Sequence, residues 1–230
     1  MVQISLEAPG KNALSRALID KTLAQVEAGK GEPLLLTGAG DAFCAGLNLK
    51  EIASFDARAL RSYLEAFDRL VAALYGYPGP TAAALNGHAI AGGCVLALCC
   101  DERICTSGKA RIGLNEVSLG ARFPPVTMAM IRERLSPQHL DAVVLGAALF
   151  DGAEALRLGL VHALSADPVA SARAALEHLA ANAPHAYAAA KRDLRARTLQ
   201  LVPTHGDWDD IVAVWTSAET RRRMQAVLAR

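Results

Sequence analysis

Charge of one sign is what this 230-residue chain has least to spare: 24 Lys and Arg against 23 Asp and Glu leave a net charge of +1. Such a balance gives no electrostatic reason to expect nucleic acid or an anionic membrane as a partner. The basic runs at Lys191–Arg197 and Arg221–Arg223 are interrupted or flanked by acidic residues and read as solvated helix faces. Uninterrupted hydrophobic runs of membrane length are also missing. The nearest, Thr81 to Cys100, is broken by Asn86, His88 and three glycines, and reads as a core segment. The start, MVQISLEAPGKNALS, lacks the basic beginning and apolar centre of a secretory signal, so a cytoplasmic protein is expected. The cysteines (Cys44, Cys94, Cys99, Cys100, Cys105) are odd in number, contain no CxxC pair, and include neighbours that cannot form a standard disulfide. They are expected to be small buried hydrophobes in a reducing compartment, with no metal site.

What is present is alternation of strand and helix. Val2–Leu6 alternates weakly, Pro9-Gly10 turns the chain, and Ser15 is placed to cap a helix carrying Leu18, Leu23 and Val26. Leu34–Thr37 is a short buried strand, followed by a glycine-rich loop, GAGDAFCAGLNLKEI. Asp56 opens a helix whose apolar positions, Leu60, Leu64, Phe67, Val71 and Leu74, are spaced four, three, four and three apart. Past the PGP at 78–80, Thr81–Leu85 reads as a strand, Cys94–Cys100 as an apolar helix, and Arg103–Thr106 as another strand. Thr127–Leu135, Leu140–Leu149 and Gly152–Gly159 read as helices, Leu160–Ala163 as a final strand. The chain is helical from Ser171 on, with Pro184 starting one helix and Trp208–Arg230 holding the last. An α/β core over 1–170 with a helical region over 171–230 follows.

The segment Asn86–Gly93 places a glycine pair, Gly92 and Gly93, at a helix start. Bare backbone N–H groups there favour negative charge, so the loop can hold a phosphate, stabilise a transient oxyanion, or simply make a tight turn. Further on, IGLNEVSLG carries one carboxylate, Glu116, in an uncharged run. A lone Glu at a strand end commonly faces solvent. If enclosed by Ile112, Leu114, Val117 and Leu119, it would be desolvated and its pKa raised towards the range of a general base. His88 and Asp101 read as structural, and Trp208 and Trp215 as core or interface residues.

DAFCAGLNLKEI at 41–52 followed by LNGHAIAGGC at 85–94 resembles the paired signature of the crotonase (enoyl-CoA hydratase/isomerase) superfamily. GKNALS at 10–15, LGLV at 158–161 and the tail VWTSAETRRRMQAVLAR at 214–230 agree, so the resemblance covers nearly the whole chain. It implies a spiral of ββα turns with a helical C-terminal trimerisation region, and a homotrimer or a dimer of trimers. It also implies an acyl-CoA thioester as substrate, with no cofactor besides the coenzyme A the substrate carries. Carried over by position, the N–H groups of Leu47 and Gly92 would form an oxyanion hole for the thioester oxygen. Ala45, Gly46, Leu49, Lys50, Gly93 and Val95 would line the substrate path. Lys50 could approach a phosphate of the coenzyme, but an exposed loop lysine is the better reading.

Hydratases of the family carry two glutamates; here the first position is Val95 and the second is Glu116. Adding water needs groups that deprotonate the water and protonate carbon, and valine does neither. A single carboxylate suffices to shift a double bond, the Δ3,Δ2-enoyl-CoA isomerase reaction, and AGGCVLALCCD…RIGLNEVSLG is most similar to that branch. Two alternatives stay open. One is hydration or another acyl-CoA reaction, with a polar group from 121–135, where Arg122 and Glu133 are the candidates. The other is a non-catalytic acyl-CoA-binding subunit.

Overall fold

An unbroken apolar run such as Leu34–Leu36 is stable as a strand where both faces are covered, as in a parallel sheet. The computed structural model, which describes residues 1–201 and 205–229, puts it there. In chain order the elements are β1 (Val2–Leu6), α1 (Pro9–Asn12), α2 (Arg16–Ala28), β2 (Leu34–Gly38), β3 (Ala42–Cys44), α3 (Leu49–Ile52), α4 (Ala57–Tyr75), β4 (Thr81–Leu85), β5 (His88–Ile90) and α5 (Gly92–Cys99). Then come β6 (Glu102–Thr106), β7 (Ile112–Gly113), α6 (Glu116–Leu119), α7 (Pro125–Arg134), α8 (Pro137–Val144), α9 (Gly152–Arg157) and β8 (Ala163–Ser165). The chain finishes with α10 (Pro168–Ala180), α11 (Pro184–Leu199), α12 (His205–Thr216) and α13 (Ala218–Leu228).

Strands β1, β2, β4, β6 and β8 form one parallel sheet in the order β1-β2-β4-β6-β8, and β3, β5 and β7 form a second. The chain climbs as a spiral. Three times it runs through a strand of the larger sheet, a sharp turn, a strand of the smaller sheet and then a helix. This is the ββα spiral the resemblance implies. Side chains pin the turns: the Asn86 carboxamide accepts from Gly38 N at 3.1 Å and donates to Gly40 O at 2.9 Å. The Asn12 carboxamide donates to Ala42 O at 2.8 Å. Gly87 has no alternative, because a Cβ there would lie 2.1 Å from Asp41 O.

The apolar stripe of α4 is buried as its spacing requires, and Asp56 caps it by accepting from Ala59 N at 2.7 Å. On the other face of the larger sheet, Ala172 and Leu176 of α10 pack on Leu35, Ala82, Ala84 and Ile104. Helix α10 is therefore the sheet's own cover, and a boundary at 170 runs through that layer. Asp101 is structural, as its position led one to expect. Its carboxylate accepts from Thr81 N at 2.8 Å and pairs with Lys191 at 2.6 Å and with Arg195. Burial raises its pKa, but Lys191 and Arg195 outweigh burial and hold it below the ordinary value.

The structure departs from the sequence reading in several places. β3 and β5 lie within stretches that read as glycine loops, because three residues are too few to show a period. Helix α5 begins at Gly92 rather than Cys94, and α8 ends at Val144, with Ala147 beyond it at φ 47°. β8 falls at Ala163–Ser165, three residues later than expected, since Leu160 and Val161 are buried in the turn before it. The last helix is two: Ser217 caps α13 by accepting from Thr220 N at 3.2 Å. Among the described residues, no helix is long and apolar enough to cross a membrane. All five cysteines are free and buried.

Candidate active site

The first wall of the site is the backbone after β3. Leu14 N donates to Gly46 O at 2.8 Å and Asn48 N to Leu14 O at 3.2 Å, making a parallel bridge between Leu14 and Leu47. In a parallel ladder the residues flanking Leu47 make those bonds, so its own N–H faces the other way. Gly46 sits at φ +93°, and a Cβ there would come within 2.8 Å of Ile90 O and 3.3 Å of Gly92 N. Only glycine allows the two loops to approach this closely.

The second wall is the turn from β5 into α5. Ala91 N is tied to Gly113 O at 2.8 Å, and Ala91 takes φ 50°, ψ −122°, a conformation rarely adopted by residues with a Cβ. This kink makes Gly92 the first residue of α5, where a backbone N–H has no partner within the helix. The position of a Cβ on Gly92 would be 3.4 Å from Leu47 N. The Leu47 amide nitrogen thus lies close against the first residue of α5, at the positive end of that helix.

Glu116 opens α6, a single turn following β7, rather than ending a strand. Its side chain is buried, and Oε2 has no hydrogen-bond partner. Burial pushes its pKa up to about 8 from the ordinary 4.5, opposed only by a hydrogen bond from its own backbone amide. Ile112 and Leu114 are buried as expected, whereas Val117 points outward and is 43% exposed. In a one-turn helix that exposes Val117 and Ser118, the burying surface comes from elsewhere in the chain.

A cavity of about 330 Å³ joins these parts, with Ala45, Leu47, Leu49 and Glu116 in its wall. Gly46 and Gly92 are not part of that wall, although their chain neighbours Ala45, Leu47 and Ala91 are. Three further sequence candidates do not border it either. Gly93 is a packing glycine whose Cβ would fall 2.3 Å from Cys44 O; Val95 is wholly enclosed in the core; Lys50 is exposed on α3. For Val95 this corrects the expectation of substrate contact: it points into the core side of α5. The 121–135 segment also stays out. Arg122 pairs with Asp210 at 3.5 Å, and Glu133 accepts from Tyr75 OH at 3.0 Å.

Sequence reasoning missed Asn115, Ile90, Leu149 and Val227 in the cavity wall, and read Trp215, which also lines it, as a core or interface residue. Asn115 alone had a signal, as an uncharged polar residue directly before the lone carboxylate. The others come from distant parts of the chain. The Trp215 indole N–H donates to Arg122 O at 2.8 Å. Trp215 and Val227 also show that the last two helices help close the site of their own chain. His88 stands apart, its Nδ1 accepting from Arg111 N at 2.9 Å. Among the described residues, no three His, Cys, Asp or Glu side chains cluster as metal ligands would.

The fold and the site together define a class: a ββα spiral holding a buried carboxyl in a cavity that Leu47 and the turn into α5 also line. The family model for enoyl-CoA hydratase/isomerase matches residues 1–225, and the chain belongs to that family. The chain is similar to the crystal structure of human mitochondrial Δ3,Δ2-enoyl-CoA isomerase. That likeness has a TM-score of 0.93 and 26% identity over 99% of this chain and 92% of the other. It is 35% identical over 170 residues to a candidate enoyl-CoA hydratase of Thermus thermophilus, covering 71% of this chain and 66% of that protein. To human mitochondrial methylglutaconyl-CoA hydratase it is 30% identical over 159 residues, 67% of this chain and 47% of that one. The chain thus spans about two thirds and about half the lengths of these two relatives.

Proposed function

We propose that this protein is an enoyl-CoA isomerase, moving the double bond of a 3-enoyl-CoA to the 2-trans position. Glu116 takes a proton from the α carbon of the thioester, and the charge passes to the carbonyl oxygen as a dienolate. The N–H groups of Leu47 and Gly92 stabilise that oxygen more strongly in the charged form than in the ground state, which is what lowers a barrier. Glu116 then returns the proton at the γ carbon. The observation that supports this most is that, among the described residues, Glu116 is the only titratable side chain in a cavity that is apolar apart from it and Asn115. At the family's other glutamate position stands Val95, enclosed in the core. A coenzyme A thioester is the substrate, and the C-terminal helices are proposed to form a homotrimer or a dimer of trimers.

Hydration of a 2-enoyl-CoA has one observation in its favour. The Asn115 carboxamide lines the cavity beside Glu116, makes no capping bond to α6, and offers a second polar group for a water. One experiment separates the two readings. Conjugated-thioester absorbance is followed after adding 3-enoyl-CoA or 2-enoyl-CoA to the wild type and to Glu116→Ala. A rise with 3-enoyl-CoA that falls at least a thousandfold in the variant is expected, in line with loss of a general base and its proton transfer. Consumption of 2-enoyl-CoA without isomerisation would establish the hydratase instead. Binding without turnover of either would leave an acyl-CoA-binding subunit.

A further inference from the structure

We propose that Trp215 sets the length of acyl chain the cavity accepts, and that this chain is an uncharged hydrocarbon. The inference rests on the reading of the site as one for acyl thioesters, and it deepens that reading by naming the substrate class. The volume of about 330 Å³ is near the lower end of small-molecule sites, which span about 300–1,000 Å³. Short and medium chains fit that scale better than long ones.

The chemistry of the wall decides the rest. Beyond Glu116 and Asn115 it is apolar, through residues such as Leu49, Ile90, Leu119 and Leu149, with no Lys, Arg or His among the described residues that line it. A second carboxylate at the far end of an acyl chain would be desolvated there without a cationic partner. It would also share a small cavity with Glu116, and like charges in one site disfavour each other. Dicarboxylic acyl groups, such as the one in the name of the methylglutaconyl-CoA hydratase, are therefore poor ligands for this chain.

Among the lining side chains, Trp215 is the rigid one. It is 2% exposed, packs in the main core, and is held by its hydrogen bond to Arg122 O. A buried indole with its N–H satisfied cannot swing aside without breaking that bond and opening a void. Val227, 48% exposed on the last turns of α13, is a softer wall. A growing hydrocarbon tail is stopped at Trp215 while it can displace Val227.

Titration calorimetry with saturated acyl-CoA thioesters tests this, because a saturated chain has no double bond to shift. Binding is measured for hexanoyl-, octanoyl-, tetradecanoyl- and glutaryl-CoA to the wild type, Trp215→Ala, Trp215→Phe and Val227→Trp. The wild type is expected to prefer octanoyl over tetradecanoyl, and hexanoyl over glutaryl, each by at least about tenfold, the worth of roughly two buried methylenes. Trp215→Ala should erase the octanoyl preference. If that variant does not fold, Trp215→Phe, which keeps a ring but loses the anchoring N–H, should weaken it. Val227→Trp should move the preference towards hexanoyl. Chain-length ratios unchanged in the folded Trp215 variants and in Val227→Trp would overturn the role of Trp215. Glutaryl-CoA binding as tightly as hexanoyl-CoA would overturn the uncharged class. Failure to isomerise 3-enoyl-CoA would sink the proposed reaction and leave these binding ratios standing.

Discussion

A carboxyl enclosed among leucines holds its proton longer than one in water, and Glu116 makes that a property of the whole molecule. Its folded pKa of about 8 lies above the ordinary 4.5, so the folded protein keeps a proton that the unfolded chain has released. The stability tied to this proton is fully present below pH 4.5 and is lost as pH rises through 8. Catalysis runs the other way: the base must be ionised, so kcat/KM for 3-enoyl-CoA should rise with pH up to about 8 and then level. Replacing Glu116 by Gln removes the ionisable group but keeps its shape. At pH 8, where the folded carboxyl is half ionised, that variant should be more stable than the wild type by roughly 4 kcal/mol, at about 1.4 kcal/mol per pKa unit. Near pH 5 the two should converge. Thermal unfolding of both proteins between pH 5 and 9 checks this, and parallel curves would show that burial does not govern the carboxyl. In the sequence the residue itself was legible, as the lone charge in IGLNEVSLG. Its neighbours were legible only by half: Val117, adjacent in the chain, faces outward, while Trp215 and Val227 help enclose the cavity.

At the scale of an element, the turn into α5 carries stored strain. Ala91 at φ 50°, ψ −122° occupies a region that costs a residue with a Cβ about 1–3 kcal/mol. The alignment of the Gly92 N–H depends on that turn. Ala91→Gly should relieve the strain and leave stability unchanged or raised by about 1 kcal/mol, once glycine's own entropic cost of about 0.5–1 kcal/mol is subtracted. The looser turn should lower kcat about tenfold with less change in KM. Urea unfolding and steady-state kinetics on the one variant measure both. A variant both less stable and equally active would show that the turn is not strained for the site. Glycines and the apolar run made α5 readable from the sequence. The strain was not readable, because it falls on an alanine, a residue with no turn signal of its own.

Across the whole molecule, one buried ion cluster ties the C-terminal helices to the sheet. Lys191 and Arg195 of α11 converge on Asp101, which follows α5, and Tyr187 adds a hydrogen bond at 2.9 Å. Removing one member leaves Asp101 buried and underpaired. Lys191→Met should therefore destabilise the fold by about 3 kcal/mol, near the low end for a broken buried pair because Arg195 remains. Adding Asp101→Asn to that variant should recover part of the loss. Chemical denaturation of the single and double variants gives the coupling, and additive losses would mean the pair is not coupled. Lys191 and Arg195 lie in a basic run that reads as solvated in the sequence, whereas both are buried. Charge patterning along a chain does not reveal a carboxylate about ninety residues away.

The amino-acid order alone was enough for the alternation of strand and helix, the stripe of α4, the caps at Ser15 and Asp56, both glycine loops and the lone Glu116. These are local: each depends on periodicity, backbone freedom or charge within a few residues. Only the tertiary structure decided that β3, β5 and β7 form a second sheet, since strands of two or three residues have no period to read. Only it decided that Val95 faces the core and that Trp215 and Val227 wall the cavity beside Glu116. Burial of a carboxyl is a property of everything that surrounds it, and most of what surrounds this one is remote in the chain.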